Sequence, residues 1–542
     1  MAIIGKNVIE NLTQGMYENK YTIFREFIQN SADSIDKAIK NKILDKYEAN
    51  IDIYIDKNKR SITIYDNAMG ISKDNFIKTL SSIADSEKDR KEDKGFRGIG
   101  RLAGIAYCKK LIFRSSFLGE DIESEMIWDG ELLRSILLDK NNHLSASEVI
   151  DKIITCKEKK CNKDEHFFKV VLVDITKEND DLLDANEVIE YLKSVAPVPY
   201  DKFIFKSKIY EFIKQQNIRL DEYSINLNGN PIFKCYGTYL YEKLKDGSLK
   251  KYDEIKDIVI KEFKEGENLI AWAWIGVSSY EKNIPLCNKM RGLRLRKENI
   301  QIGDERTLDK FFKEARGNGY FIGEIFILDS EIIPNARRDY FNQNEELMKF
   351  EDLLKPFLHF ELYTLYHFAS EVRLAVRDKN EYLKVEKEYH EKANNGTFTS
   401  KEEKEKLENT LKVKHEKAIK AENKLKNKKM LSEVDNIKKR VYDTLINSLE
   451  NEEKIKSGIL DETLFKNIDN KSNSNENVTI ISQKNENNKE NIKKDVYLAQ
   501  SLSNYNKSER KLVGKIYGII ENILPKDMSE LIIKKIQEEL SK

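Results

Sequence analysis

The spacing of hydrophobic positions changes period several times along the first two hundred residues, and each change marks an element. Between residues 21 and 36, Phe24, Phe27, Ile28 and Ile35 recur at helical spacing, which predicts a helix lying on a core. Glu26, Asn30 and Asp33 follow one another at i, i+4 and i+7 and share its opposite, wetter face. The period drops to two in residues 51–55 and 61–65, and the polar residues 56–60 between them predict a β-hairpin with one buried face. Residues 1–20 read as a short strand or arm at Ala2-Ile3-Ile4 followed by a helix. A helical pattern resumes at Phe76 and gives way at residues 85–93 to charge with almost no apolar position. Such a segment can bury little and is expected to act as a mobile lid. Glycine-rich residues 94–104 then lead into an apolar helix.

Beyond a strand-like run at residues 168–174, Ala196-Pro197-Val198-Pro199 is expected to open a second α/β domain. Its strands are read at residues 270–277 and 320–328, with a helix at 307–316. Residues 291–300 alternate like a strand and are locally basic, which leaves two readings: a solvated strand edge, or a nucleic-acid or domain contact. From Glu345 the pattern is helical, and residues 371–453 are dense in charge. Residues 394–397 break that stretch, and Ser400 with Glu403 forms a capping box that restarts it. Leu407, Leu411, Ala418, Ala421 and Leu425 keep a loose 3.5-residue spacing, the pattern of a coiled-coil hairpin or stalk. Residues 466–494 have the composition of a disordered linker. Two amphipathic helices follow, with Leu512, Ile516, Ile519, Ile520 and Ile523 before Pro525, and Met528, Leu531, Ile532 and Leu540 after it. They are expected to dimerise or dock on a partner.

Composition narrows this picture only in places. A chain of 542 residues has room for roughly three to four domains. A net charge of +1 gives no global electrostatic case for nucleic acid or membrane, so any basic surface must be local. Five scattered cysteines fit a reducing compartment, and the Cys156–Cys161 spacing with no second pair argues against zinc. The sequence has no apolar run of about 18 residues and no leader pattern at its start, so it reads as cytoplasmic and not membrane-bound.

The candidate chemistry gathers in the first hundred residues. The Asn30 amide oxygen suits a hard cation such as Mg²⁺, and Glu26 one turn earlier can polarise a water for attack on a phosphate held by that metal. Asp66-Asn67-Ala68-Met69-Gly70-Ile71-Ser72 stands at the end of the hairpin's second strand. A carboxylate there, followed by a glycine that admits close backbone approach, can bind an exocyclic amine. Gly98-Ile99-Gly100-Arg101-Leu102-Ala103-Gly104 offers backbone N–H groups to an anion at a helix start. It follows no strand and lacks the Lys-Ser/Thr of a P-loop.

In order and spacing these motifs resemble the Bergerat-fold ATPases, the GHKL superfamily of gyrase, the heat-shock chaperone, histidine kinases and MutL, over roughly residues 1–200. The resemblance implies an α+β protein: an N-terminal Bergerat-fold α/β sandwich, a second transducer-like α/β domain, a helical coiled coil and a C-terminal helical region. In residue numbers these are an ATPase domain at 1–195, a middle domain at 196–370, a stalk at 371–460, a linker at 461–496 and a dimerisation or docking element at 497–542. It implies ATP and Mg²⁺, with Glu26 as general base, Asn30 as the metal ligand and Asp33 as a pocket carboxylate. Asp66 would bond the adenine amine beside Met69 and Gly70, while Gly95, Arg97, Gly98, Ile99 and Gly100 would form the lid hinge and phosphate cradle. The glutamate at position 26 separates the chain from sensor kinases, and none of its six histidines stands as a phosphoryl acceptor would.

Residues 332–341 look like the middle-domain loop of the heat-shock chaperone class. By that likeness Arg338, next to Arg337, delivers a guanidinium to the γ-phosphate, where such groups stabilise transferring charge. One departure bears on the water network around adenine and on affinity: Phe167-Phe168 occupy the place of an expected Gly-Thr, and Thr176 at the other end of the strand is given no role. The implied function is a slow, ATP-gated clamp that closes as a homodimer, and its client stays open between two readings. One is a chaperone acting on polypeptides. The other is a MORC- or MutL-like clamp on double-stranded DNA, in genome maintenance or anti-phage defence.

Overall fold

Side chains directly opposite one another in a sheet project to the same face, and the pairings here stack the predicted strands into one apolar surface. The computed structural model describes residues 5–11, 13, 19–83, 100–426, 532–533 and 535–536. The arm expected at Ala2–Ile4, the charged segment 85–93 with Gly95, Arg97, Gly98 and Ile99, the stalk beyond 426, the linker and most of the last two helices lie outside the described residues. The chain forms two compact units, Met1–Tyr366 and His367–Lys542.

In the first unit a single turn, α1 (Asn7–Glu10), precedes α2 (Thr22–Lys40). Phe24, Phe27, Ile28, Ala32, Ile35 and Ala38 of α2 are buried, as the helical spacing requires. The helix stops where Lys42 takes φ 58° and the Ile43 N–H reaches back to the Ala38 carbonyl at 2.9 Å, a Schellman closure. The hairpin follows as β1 (Asn50–Asp56) and β2 (Ser61–Asp66), and α3 (Lys73–Ser81) after it. Next come β3 (Cys108–Ser116), β4 (Ile122–Asp129), α4 (Gly130–Leu138), α5 (Ala146–Ile153), β5 (Ile154–Lys160), β6 (Phe167–Ile175) and α6 (Ala185–Val195). Beyond Ala196–Pro199 the chain first forms α7 (Phe203–Gln215), then adds β7 (Ser224–Leu227) and β8 (Asn230–Pro231) to the same sheet.

That sheet has eight strands in the order β5-β4-β3-β6-β2-β1-β7-β8, antiparallel except where β7 runs parallel to β1. One row of partners across its buried face is Ile53, Ile64, Val170, Phe113 and Met126. The next row is Ile51, Asp66, Phe168, Ser115 and Ser124. The first is wholly apolar and packs under α2; the second carries a carboxylate and hydroxyls into the same interior.

A ribbon of β9 (Tyr239–Lys243) and β10 (Leu249–Glu254) leads to a second sheet, ordered β11-β12-β15-β13-β14. Its strands are β11 (Asp257–Glu265), β12 (Asn268–Val277), β13 (Gly292–Lys297), β14 (Ile300–Ile302) and β15 (Ile322–Ile327). The helix read at residues 307–316 is not formed. Short turns at Asp309–Phe311 and Ala315–Tyr320 replace it. The Asn318 side chain explains this: it donates to the Glu305 carbonyl and to Asp309, and accepts from the Leu293 N–H, each at 2.8–2.9 Å. Side-chain-to-backbone bonds of this kind compete with a helical ladder.

The basic stretch is also corrected. β13 is an interior strand and every residue of it is buried. Arg296 and Glu324 are both fully buried, with the guanidinium bonded to the carboxylate at 2.5 Å and to the carbonyls of Ser194, Val195 and Asn299. Arg296 thereby caps the last turn of α6, where orphan carbonyls favour a cation. Lys234 joins the same carboxylate at 3.2 Å. Burial opposes the ionised Glu324, but Arg296 and Lys234 outweigh it and hold the carboxyl down at about 2. Arg294 and Lys297 are spent on Gln301 and on backbone carbonyls. The alternation signalled a strand; it is an interior one, so the solvated edge is overturned. Arg296 reaches the Ser194 and Val195 carbonyls of the expected first domain, which is the domain contact among the readings.

After α8 (Glu345–Pro356), a widened turn at Phe357–Leu362 follows the internal Pro356, and α9 (Tyr363–Asn395) begins. In the second unit the remainder of α9 pairs antiparallel with α10 (Lys401–Lys426), through Lys392–Glu403, Tyr389–Glu408 and Lys414–Glu381. The cap at its start is shared. Ser400 accepts from the Glu403 N–H at 3.1 Å, but the Glu403 carboxylate reaches the Thr399 N–H instead of that of Ser400. No helix among the described residues is long and apolar enough to cross a membrane.

Candidate active site

Helix α2 carries the candidate base and metal ligand on a face that is drier than its polarity suggests. Asp33 is buried, Gln29 is fully buried, and Glu26 and Asn30 are half-buried. The wet face expected from the pattern is therefore an interior wall. Gly100 opens a turn of 3₁₀ helix (Gly100–Tyr107), not the α-helix the spacing suggested, and that turn packs on α2. A Cβ at Gly100 would stand 2.3 Å from a Glu26 carboxylate oxygen, so any larger residue there would push the Glu26 carboxylate out of its present position.

Asp66 ends β2 in the polar row of the sheet and is 1% exposed. It accepts from the Ser31 hydroxyl at 2.7 Å and from the Ala68 N–H at 3.2 Å. Burial pushes its carboxyl up to about 7, with those two bonds opposing. Beyond it, Gly70 holds φ 71°, and a Cβ there would lie 2.0 Å from the Ser116 carbonyl oxygen. Met69 is half-buried against the core. The turn is pinned at both ends: the Ile71 N–H donates to the Ser115 hydroxyl at 2.7 Å, and His166 Nδ1 lies 2.8 Å from the Ala68 carbonyl.

The two phenylalanines separate by face. Phe168 stands in the same row as Asp66 and stacks with Phe113, whereas Phe167 stacks with Tyr65 and lies beneath Lys169. An apolar ring thus fills the place of the expected threonine. Hydroxyls reach this region from Ser31 on α2 and Ser115 on β3 instead. Neither was singled out from the sequence, because each meets its partner only through the fold; Ser31 did carry a signal, as a small polar residue on an otherwise apolar side of the helix.

The loop at residues 332–341 closes on itself through the Asn335 N–H to the Tyr340 carbonyl (2.9 Å) and the Asn342 N–H to the Ile333 carbonyl (2.9 Å). Arg338 sits within it at φ 55°, its carbonyl accepting from the Gly303 N–H at 2.8 Å. It is 7% exposed. Burial pulls its pKa below the usual guanidinium value, and attraction from Glu26, with Asp33 further away in effect, opposes that. Arg337 is exposed and gives its carbonyl to Arg25 Nη2 at 3.2 Å. The same Arg25 nitrogen lies 3.5 Å from Glu26 Oε1. Arg25, unremarked in the sequence, therefore bridges the candidate base and the arginine loop.

The site thus brings together Glu26, Asn30, Asp33, Gly100 and Arg338 around one helix, with Asp66 and Gly70 at the end of β2. Gly95, Arg97, Gly98 and Ile99 lie outside the described residues. A buried acceptor and a glycine turn that a Cβ would fill suit an adenine-bearing ligand. For a metal, the described residues contain no group of three His, Cys, Asp or Glu that could hold one. Asn30 alone suits Mg²⁺ that keeps its waters and arrives on phosphate oxygens.

Residues 20–162 match the family described as histidine kinase-, DNA gyrase B-, and HSP90-like ATPases. Chaperone protein HtpG of Wigglesworthia glossinidia brevipalpis is 24% identical over 359 residues, which cover 61% of this chain and 49% of that protein. HtpG of Buchnera aphidicola subsp. Baizongia pistaciae is 29% identical over 144 residues, 23% of each chain. HtpG of Escherichia coli O1:K1 / APEC is 29% identical over a match of the same length. The matches span between 23% and 49% of these relatives' own length.

Proposed function

We propose that this chain, whose residues 20–162 form a domain of the histidine kinase-, gyrase B- and HSP90-like ATPase family, binds and hydrolyses ATP and couples the cycle to a polypeptide client. The observation that carries the reading is Arg338, buried beside Glu26 although it comes from a loop more than three hundred residues further along the chain. In this reading Asp66 accepts from the adenine amine, with Met69 and Gly70 shaping its wall. Asn30 holds Mg²⁺, which would neutralise phosphate charge when bound, and Asp33 lies on the inner wall of the pocket. Glu26 orients and deprotonates the attacking water, while Arg25 fixes its carboxylate by the same nitrogen that holds the arginine loop. Arg338 stabilises charge on the transferring phosphoryl group; comparable arginines contribute about 10³–10⁵ in rate. Chemistry that waits for domain motion is slow.

The client is read as protein because the relatives are named chaperones and because Arg294, Arg296 and Lys297, the cations of the basic stretch within β13, are buried. A homodimer, N-terminal closure and a cytoplasmic setting complete the reading. The test is the steady-state ATPase rate with a chemically unfolded polypeptide or with double-stranded DNA added. Stimulation by the polypeptide supports the chaperone reading; stimulation by DNA that fades as salt rises would replace it with a DNA clamp.

A further inference from the structure

Asp66 carries its carboxylate into an apolar part of the first sheet. Its partners across the neighbouring strands are Ile51 on β1 and Phe168 on β6. The charged side chains of these strands form the next row, Asp52, Tyr65, Lys169 and Arg114, which alternates to the sheet's other face. His166 stands closer to the turn, but its Nδ1 lies against the Ala68 carbonyl and not against the carboxylate. Among the described residues, two donors reach Asp66: the Ser31 hydroxyl, 2.7 Å from Oδ2, and the Ala68 N–H, 3.2 Å from Oδ1. The second belongs to the turn itself and is at the long end for such a bond. The first is short and comes from a different element, helix α2, where Glu26 and Asp33 are the nearest acids along the chain. Ser31 is 3% exposed, so bulk water has no access to the pair.

Burial disfavours the charged form of such a carboxyl, and hydrogen bonds donated to it favour that form. For Asp66 burial is the largest force, the Ser31 hydroxyl is the larger of the two that oppose it, and the Ala68 N–H is the other. The distinction bears on binding, because a charged acceptor makes a hydrogen bond roughly twice as strong as a neutral one. We propose that Ser31 is a positioning residue of the nucleotide pocket: its hydroxyl, donated from α2, orients the Asp66 carboxylate and keeps it charged, and so a full acceptor for the ligand's exocyclic amine. The proposal deepens the ATPase reading and rests on it for the identity of that ligand. Helix α2 then governs both ends of the nucleotide with successive residues, Asn30 at the phosphates and Ser31 at the base.

The test measures the affinity of the full chain for a non-hydrolysable ATP analogue by calorimetry, from about pH 6 to about pH 9, for wild type, Ser31→Ala and Ser31→Thr. Ser31→Ala should bind about tenfold more weakly at pH 7, and the gap should close to a few-fold near pH 9. Loss of one hydrogen bond to a charged group moves the midpoint of the profile up by about one pH unit. Titration of the analogue's own phosphates is common to every variant and cancels in the comparison. Ser31→Thr keeps the hydroxyl and should restore the wild-type midpoint. Thermal unfolding without ligand reads the same shift independently. Stability gained as pH falls through the folded-state midpoint should begin to appear about one unit higher in Ser31→Ala. A loss of affinity that is equal at every pH marks a merely structural role and overturns the proposal, as does an unchanged profile. A midpoint that moves with His166→Gln and not with Ser31→Ala overturns it as well. Wild type that binds no analogue at any pH would sink the adenine assignment of Asp66 and this proposal together. Wild-type binding with an unmoved midpoint in Ser31→Ala would sink this proposal alone.

Discussion

Replacing Asp66 by asparagine should move stability and ligand affinity in opposite directions. The buried carboxyl is raised from 3.8 to about 7 by desolvation, so the ionised form costs the folded protein about 4 kcal/mol at pH 8. The sign follows from linkage. A carboxyl that holds its proton more tightly in the folded state gains stability as pH falls through 7 towards 4, so the cost shrinks to under about 2 kcal/mol at pH 5. Asparagine removes the charge and keeps the bonds: its oxygen can accept from the Ala68 N–H, and its amide can donate to the Ser31 hydroxyl, which turns to accept. Ligand-free Asp66→Asn should therefore melt at a higher temperature than wild type at pH 8, and the difference should narrow at pH 5. ATP affinity should fall about tenfold to a hundredfold, because the acceptor for the adenine amine becomes a donor. Thermal unfolding at the two pH values and calorimetric titration with an ATP analogue check both halves. A variant that is less stable at pH 8, or one that binds ATP as wild type does, refutes the reasoning.

Other substitutions probe the remaining walls of the site. Arg338→Ala should lower kcat by about 10³-fold or more while nucleotide affinity changes only a few-fold, as single-turnover rates and titration would show. Gly70→Ala places a methyl group against the Ser116 carbonyl at a positive φ, so it should cost at least about 2 kcal/mol and shift denaturant midpoints. Glu324→Ala strands Arg296 and Lys234 in the core without their carboxylate and should destabilise by about 3–5 kcal/mol, read as a fall in melting temperature.

The elements that the sequence made legible are those whose partners are local. The helix at Thr22–Lys40 and the hairpin Asn50–Asp66 follow from spacing alone, since each buries one face and the apolar residues mark it. Asp66 was visible because it ends a strand. Ser31 and Ser115 were not, since hydroxyls of ordinary appearance became partners of the pocket only when α2 and β3 met it. Which of Phe167 and Phe168 points inward could have been read from the alternation with Val170 and Leu172, and the register places Phe168 there. Composition misled at residues 291–297. Positive charge was counted as surface, while Glu324, 28 residues beyond Arg296, and the carbonyls of α6 absorb it. Residues 307–316 have helical spacing, yet the deciding interaction belongs to Asn318, which lies outside that window.

The most direct test of the account concerns Glu26, which the geometry places between Arg25, Gly100 and the charge of Arg338. ATP binding and single-turnover hydrolysis would be measured side by side for wild type and Glu26→Ala. Wild type should turn over slowly and the variant not at all, with nucleotide affinity within a few-fold and the ATP-bound form accumulating. A variant that hydrolyses ATP at the wild-type rate, or that loses binding and turnover together, would contradict the role given to Glu26 and with it the reading of this protein as an ATPase of this mechanism.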